Sequence, residues 1–256
     1  MTQSSIARSV LAPVLFGVAF IALWQGLVSG FEIKASVVPG PLAITEEFAA
    51  NLDTVLAGAA GTGWNALVGL VAGLVAGVLV AVIAAVVTVV DELIAPIIAA
   101  LAVIPIVALA PVLYSMYGAN AQTARQLVAA IAVFIPIYVN TVRGLRQVRP
   151  VHRDLMRAYA ASSWQLTRTV TMPGALPYLF TGLRIASSLA VISALIAEYF
   201  GGPVNGLGRA ITTAASSSNY PLAWAYVLGA ILLGLLFYVV TLGLEIFANR
   251  HKPTTT

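Results

Sequence analysis

Residues 54–90, TVLAGAAGTGWNALVGLVAGLVAGVLVAVIAAVVTVV, contain no Asp, Glu, Lys or Arg. A helix that crosses a bilayer needs about 20 mostly apolar residues, so this run is long enough for one crossing. Its front end, Ala57 to Gly63, is small and polar, which places the predicted span at Trp64–Val89. Four further charge-free runs, 9–31, 93–124, 126–142 and 210–244, predict spans at 11–28, 94–116, 126–141 and 222–247. A span at 180–200 is interrupted only by Arg184 and Glu198. The expected fold is therefore an all-α integral membrane protein with six transmembrane helices.

Composition agrees. The 256 residues are 60% hydrophobic and 9% charged, against about 25% charged in a soluble domain. We expect one membrane domain over residues 1–256, with no room for a second. The absence of cysteine excludes disulfides, thiolate metal sites and a cysteine nucleophile, and leaves the redox compartment open. The first span is long and lacks a small-residue cleavage site, so it reads as an anchor rather than a cleaved signal.

Basic residues set the expected orientation, because short cytoplasmic loops carry an excess of Lys and Arg. With the N-terminus inside, Arg8, Arg143, Arg146, Arg149, Arg153, Arg157, Arg168, Arg184, Arg250 and Lys252 fall on or near the cytoplasmic side. Lys34, Arg125 and Arg209 fall outside. Both termini are then cytoplasmic. The net charge of +4 serves topology, and no nucleic-acid partner is needed to explain it.

Between the spans, Pro39-Gly40-Pro41 breaks the chain, and Leu42 to Leu56 reads as a short surface helix with Ile44, Phe48, Leu52 and Val55 on one side. Gly69, Gly73 and Gly77 form a stripe that allows close helix contact, within the chain or with a second copy. Pro96, Pro105, Pro111 and Pro136 each remove a backbone donor. Helices bent in this way line a pathway or are ordinary membrane helices, since proline is common in both. Tyr114, Ser115 and Tyr117 lie at the outer end of the third span. Tyr114, Tyr117 and Tyr138 suit either a flat aromatic solute or interfacial packing.

Arg143–Ala175 is the most charged stretch of the chain. A helix is expected from Pro150, with Leu155, Tyr159 and Ser162 on one face and Trp164, Leu166 and Val170 following, closing at Met172-Pro173-Gly174. A tryptophan on an exposed short helix suits a protein–protein hot spot. A basic loop lying on anionic lipid accounts for the arginines but not for the apolar face.

This stretch resembles the coupling loop of ATP-binding-cassette importer permeases. The family pattern is Glu-Ala-Ala, a Gly four residues on, and a closing Leu-Pro. Here Asp154 stands for the Glu, Leu155 and Met156 for the alanines, Ala160 for the Gly and Met172 for the Leu. Val38-Pro39-Gly40-Pro41, Ile104-Pro105 to Ala110-Pro111, Pro136 to Thr141, Thr181 to Arg184, and Ala197-Glu198 followed by Gly206-Leu207-Gly208 extend the likeness across residues 10–249. It is closest to the nitrate, sulfonate and taurine branch, which also serves pyrimidine and flavin precursors.

The resemblance implies a permease moved by a cytosolic ATPase subunit, two copies of each, and fed by an extracytoplasmic binding protein at outer loops that include Gly201–Tyr220. The coupling residues would be Asp154, Arg157, Ala158, Ala160, Ser162, Trp164 and Gln165. The candidate substrate path comprises Tyr114, Tyr117, Tyr138, Asn140 and Glu198. Pairing with an identical or a different permease stays open, as does the cargo. ATP and Mg would belong to the ATPase, with no cofactor in this chain. The only lysines, Lys34 and Lys252, follow no phosphate-binding loop, and His152 and His251 form no metal motif. We therefore expect no enzyme activity in this chain.

Intramembrane acids are costly and often functional. Glu198 is expected either to hydrogen-bond Ser217, Asn219 or backbone in a structural or gating role, or to touch substrate. Arg184 snorkels to the surface or pairs within the bundle. An ion-driven secondary transporter using Glu198 is the main rival reading, although no internal repeat supports it. A membrane scaffold would explain the apolar loop face but not the prolines and glycines.

Overall fold

The computed structural model describes residues 3–203 and 205–249. Its helices are α1 (Gln3–Gly30), α2 (Pro41–Ala50), α3 (Leu52–Val86), α4 (Thr88–Val103), α5 (Ile106–Tyr117), α6 (Gln122–Arg146), α7 (Pro150–Ala158), α8 (Ser163–Leu166), α9 (Met172–Phe200), α10 (Leu207–Ser216) and α11 (Tyr220–Asn249). A π-helical segment, Thr167–Thr171, joins α8 to α9. No strand occurs among the described residues.

Five helical stretches are long and apolar enough to cross a membrane: Leu11–Gly30, Leu52–Val86, Gln122–Arg146, Ser163–Phe200 and Tyr220–Ala248. The sixth expected span, 94–116, is not one straight helix. It is the pair α4 and α5, bent by 97°. Pro105 causes the break: it has no N–H to give and forces the residue before it out of the helical region. Ile104 accordingly lies extended at φ −65° and ψ 124°. Pro96 and Pro111 sit inside α4 and α5 without ending them.

The centre of the bundle is the contact of α3, α6 and α9. Ala66 and Leu70 of α3 pack with Ala129, Val133 and Ile137 of α6 and Ala186, Ala190 and Ala194 of α9, all buried. Small side chains bring the backbones close, which is how helices gain packing energy in lipid. A Cβ on Gly73 would lie 2.6 Å from the Ala130 carbonyl and 2.7 Å from Val133. The stripe of Gly69, Gly73 and Gly77 is thus a contact within the chain, against α6. Helix α1 stands apart, with no residue of its apolar window buried. It meets the rest through an edge-on contact of Trp24 with Trp224, ring centroids 6.2 Å apart, and through Gln25, whose Oε1 accepts from Leu42 N at 3.1 Å.

Three further boundaries differ from expectation. The surface helix does not reach Leu56: Asn51 ends α2, its amide donating back to the Glu47 carbonyl at 3.0 Å and carboxylate at 2.9 Å. Residues 52–63 join the spanning helix α3 instead, because its polar Thr62 is buried with partners of its own. The loop does not close at Met172-Pro173-Gly174. The chain stays helical from Ser163 to Phe200, and Pro173 falls where the bonding register changes from π to α, so its missing N–H interrupts nothing.

Candidate functional site

Two constellations stand near the two ends of the helical stretch Ser163–Phe200. At the first, Pro150 opens α7 from its first turn, a position that needs no N–H. Helix α7 ends in a tight reversal: Ala160 N donates to Arg157 O at 2.9 Å and Ala161 N to Met156 O at 2.9 Å. This pair of bonds is the Schellman arrangement, which requires a left-handed residue. Ala160 takes that place at φ +51°, a conformation that costs a non-glycine residue about 1–2 kcal/mol. The family pattern's glycine at this point therefore has a conformational reason.

Ser162 then starts α8 with a capping box: its N–H donates to Gln165 Oε1 at 2.7 Å, and Gln165 N donates to its Oγ at 3.3 Å. The expected single helix across 150–170 is thus two arms joined by a turn, and Ser162 and Gln165 shape the second arm. Asp154 and Arg157 face each other at 3.6 Å with side chains 70% and 81% exposed, a pairing of little strength in water. Ala158 is exposed too. Leu155 is 52% exposed, Tyr159 76% and Trp164 66%. Three large apolar side chains standing clear of the fold form a surface that a partner can cover.

Ion pairs fix the helices near this end. Arg146 of α6 meets Asp91 of α4 at 2.8 Å, and Arg184 of α9 meets Glu245 of α11 at 3.5 Å. Of the two expectations for Arg184, pairing within the bundle is the one observed.

The second constellation is buried. Arg125, in the first turn of α6, and Glu198, in the last turn of α9, are both fully enclosed. Arg125 Nη1 lies 3.7 Å from Glu198 Oε1. Its guanidinium donates to Pro203 O at 2.6 Å, Gly201 O at 3.2 Å, Asn205 Oδ1 at 3.3 Å and the Tyr114 hydroxyl at 3.2 Å. Tyr114 in turn donates to Gly201 O at 2.8 Å. Glu198 Oε2 accepts from Thr62 Oγ1 at 2.9 Å and from Gly208 N at 2.8 Å.

Ser217 and Asn219 are not the partners of Glu198. Ser217 Oγ bonds the carbonyls of Thr213 and Ala214, and Asn219 Oδ1 accepts from Leu222 N. Arg125, read from the sequence as an outer loop charge, is the missed residue. Loop carbonyls folded over the end of α6 supply the acceptors that make its burial tolerable. A signal for this was present in Gly206 and Gly208: a Cβ on Gly206 would overlap the Glu198 carboxylate, so only glycine admits it there.

The expected path residues fall in three places. Tyr114 and Glu198 share the buried cluster. Tyr117 is half exposed at the end of α5. Tyr138 is buried beside Ala81 and Ile98 and stacks on Phe134, with centroids 6.1 Å apart, while Asn140 donates to Pro136 O of its own helix at 2.8 Å. No cluster of three or more metal-ligand side chains occurs among the described residues. His251, Arg250 and Lys252 lie outside them.

Residues 69–251 match the family of binding-protein-dependent transport system inner membrane components. The chain belongs to this family. The permease is 35% identical over 164 residues to the riboflavin transport system permease protein RibX of Chloroflexus aurantiacus, covering 64% of this chain and 60% of the relative. It is 33% identical to the formylaminopyrimidine transport permease protein ThiX of Halalkalibacterium halodurans, covering 59% of each. The match thus spans about three fifths of the length of these relatives. Its fold is that of a solved amino acid ABC transporter crystallised with histidines, with a TM-score of 0.60 over 79% of this permease and 94% of that chain at 15% identity.

Proposed function

We propose that this permease is the membrane-spanning subunit of an ATP-driven, binding-protein-dependent importer of a small solute. The observation that carries the reading is the exposed trio Leu155, Tyr159 and Trp164 on two short arms, one of which runs on into a spanning helix. A cytosolic ATPase subunit grips these arms, with Asp154, Arg157, Ala158 and Ala160 forming the first arm and its turn, and Ser162, Trp164 and Gln165 the second. ATP and Mg are bound and used by that subunit. Two copies of the permease and two ATPase subunits make the assembly, and an extracytoplasmic binding protein loads it at the opposite end. The loop end and both termini face the cytoplasm, as the excess of Lys and Arg there supports.

By the names of these two relatives, the cargo is a flat heterocycle of the flavin or pyrimidine-precursor kind. The enclosed Arg125 is committed to five polar partners and serves the fold rather than the cargo. The same enclosure argues against an ion-driven mechanism at Glu198, whose carboxylate has no open approach.

Pull-down of the tagged permease from its native membranes in mild detergent tests this. A cytosolic ATPase in one-to-one ratio with the permease is expected, and a permease that comes down alone after cross-linking contradicts the reading.

A further inference from the structure

The two oxygens of Glu198 are treated unequally. Oε2 has two good donors, Thr62 Oγ1 and Gly208 N. Oε1 faces Arg125 Nη1 at 3.7 Å, and Asn65 of α3 is a further side-chain donor to the carboxylate. The Thr62 hydroxyl gives its proton to Glu198 and accepts from Leu207 N at 2.9 Å. Leu207 and Gly208 are the first two residues of α10, and its N-cap, Gly206, has no side chain to offer. The start of α10 is therefore held by α3 and α9, through Thr62 and Glu198, rather than by its own sequence.

The Arg125 guanidinium makes its shortest bond to a loop carbonyl, Pro203 O at 2.6 Å, and meets the Glu198 carboxylate only at 3.7 Å. Glu198 also stands on the helical stretch that begins at Ser163, beside Trp164. That stretch of 38 residues is roughly 57 Å long. Hydrogen bonds of 2.8–2.9 Å weaken steeply when donor and acceptor part or tilt. A displacement of α9 on the order of 1 Å is enough to release the first turn of α10.

The geometry points to Thr62, Arg125 and Glu198 as positioning residues, a clasp between α9 and α10 that opens when the partner ATPase moves the coupling end of α9. This rests on the ATPase-coupled reading above. Arg125 holds the loop ahead of α10 while Thr62 and Glu198 hold its first amides. The exposed face of α10, with Arg209, Thr213 and Ser216, changes its presentation to the arriving binding protein when the clasp opens.

Hydrogen exchange of a peptide covering 203–215, which begins far enough ahead of Leu207 to retain its label, reads the Leu207 and Gly208 amides. The probe is Mg2+ with a non-hydrolysable ATP analogue, added to the permease–ATPase complex in lipid nanodiscs. Exchange is expected to be slow without the nucleotide and at least tenfold faster with it. Thr62→Val removes the hydroxyl relay and should raise the rate without nucleotide to the nucleotide-bound value. Glu198→Gln, which keeps an acceptor for Gly208 N, should restore more protection than Glu198→Ala. Equal wild-type rates with and without nucleotide, in a complex that hydrolyses ATP, overturn the clasp; that comparison needs no variant to fold. A preparation that contains no ATPase is recognised from its subunit composition before any exchange is measured, and overturns the coupled reading together with the clasp.

Discussion

Arg125→Ala is expected to destabilise the folded permease by about 3–5 kcal/mol, the usual cost of removing one partner from a buried ion pair. The guanidinium is fully enclosed and serves Glu198, Tyr114, Asn205 and the carbonyls of Gly201 and Pro203 together. Truncation leaves a buried carboxylate with no compensating charge and the Pro203 carbonyl without its donor, while the Gly201 carbonyl keeps only the Tyr114 hydroxyl. Arg125→Lys restores the charge but not the planar fork that reaches several acceptors at once, so it should recover only part of the loss. Denaturant midpoints of the purified chain in bicelles measure both. An Arg125→Ala midpoint equal to wild type would contradict the enclosed cluster.

Asp154→Lys combined with Trp164→Ala is expected to abolish ATP-dependent uptake while leaving the permease folded and inserted. Both side chains are exposed, Asp154 at 70% and Trp164 at 66%, so neither contributes to the core. A tryptophan that fills a partner's pocket contributes about 2 kcal/mol or more at an interface, equivalent to roughly thirtyfold in affinity. Reversing the neighbouring charge adds repulsion against a surface that had accepted an acid, and the pair together should weaken ATPase retention about a hundredfold. Uptake into intact cells and ATPase recovery in a pull-down read the two consequences separately. Normal uptake in the double variant would remove the coupling role from the loop.

The spans were legible because the hydrocarbon core excludes charge, and that exclusion is written directly in composition. The expected spans 126–141 and 180–200 lie inside α6 and α9, and 11–28 inside α1. Pro105 shows the limit of the same reading. Pro96, Pro105 and Pro111 look alike in sequence, yet only Pro105 ends a helix, because the outcome depends on what the surrounding chain offers the freed carbonyl.

Charge as a marker of span ends also misassigned Arg125. A basic residue at the edge of an apolar run reads as a loop residue, whereas folding brings the carbonyls of residues 201 and 203 over it. Glu198 was visible as an unusual intramembrane acid, but its partners on α3, α6 and α10 are a property of the tertiary packing. At the loop, the apolar face was legible, and the turn that divides it was not. Alanine at position 160 carries no local sign of a left-handed backbone, and only the family's glycine at that place hints at it.

On the proposed reading, the arms at 150–166 meet a cytosolic ATPase. The chain has no cysteine, so Ser163→Cys introduces a single thiol beside the proposed Trp164 contact without removing it, and Thr213→Cys places one on the exposed side of α10 as a control. A thiol-specific photocross-linker attached in native membranes is predicted to join the Ser163→Cys permease to the ATPase subunit as its main product. It should leave the Thr213→Cys permease free of that adduct. No ATPase adduct from Ser163→Cys, or equal adducts from both positions, would contradict the coupling role of the loop.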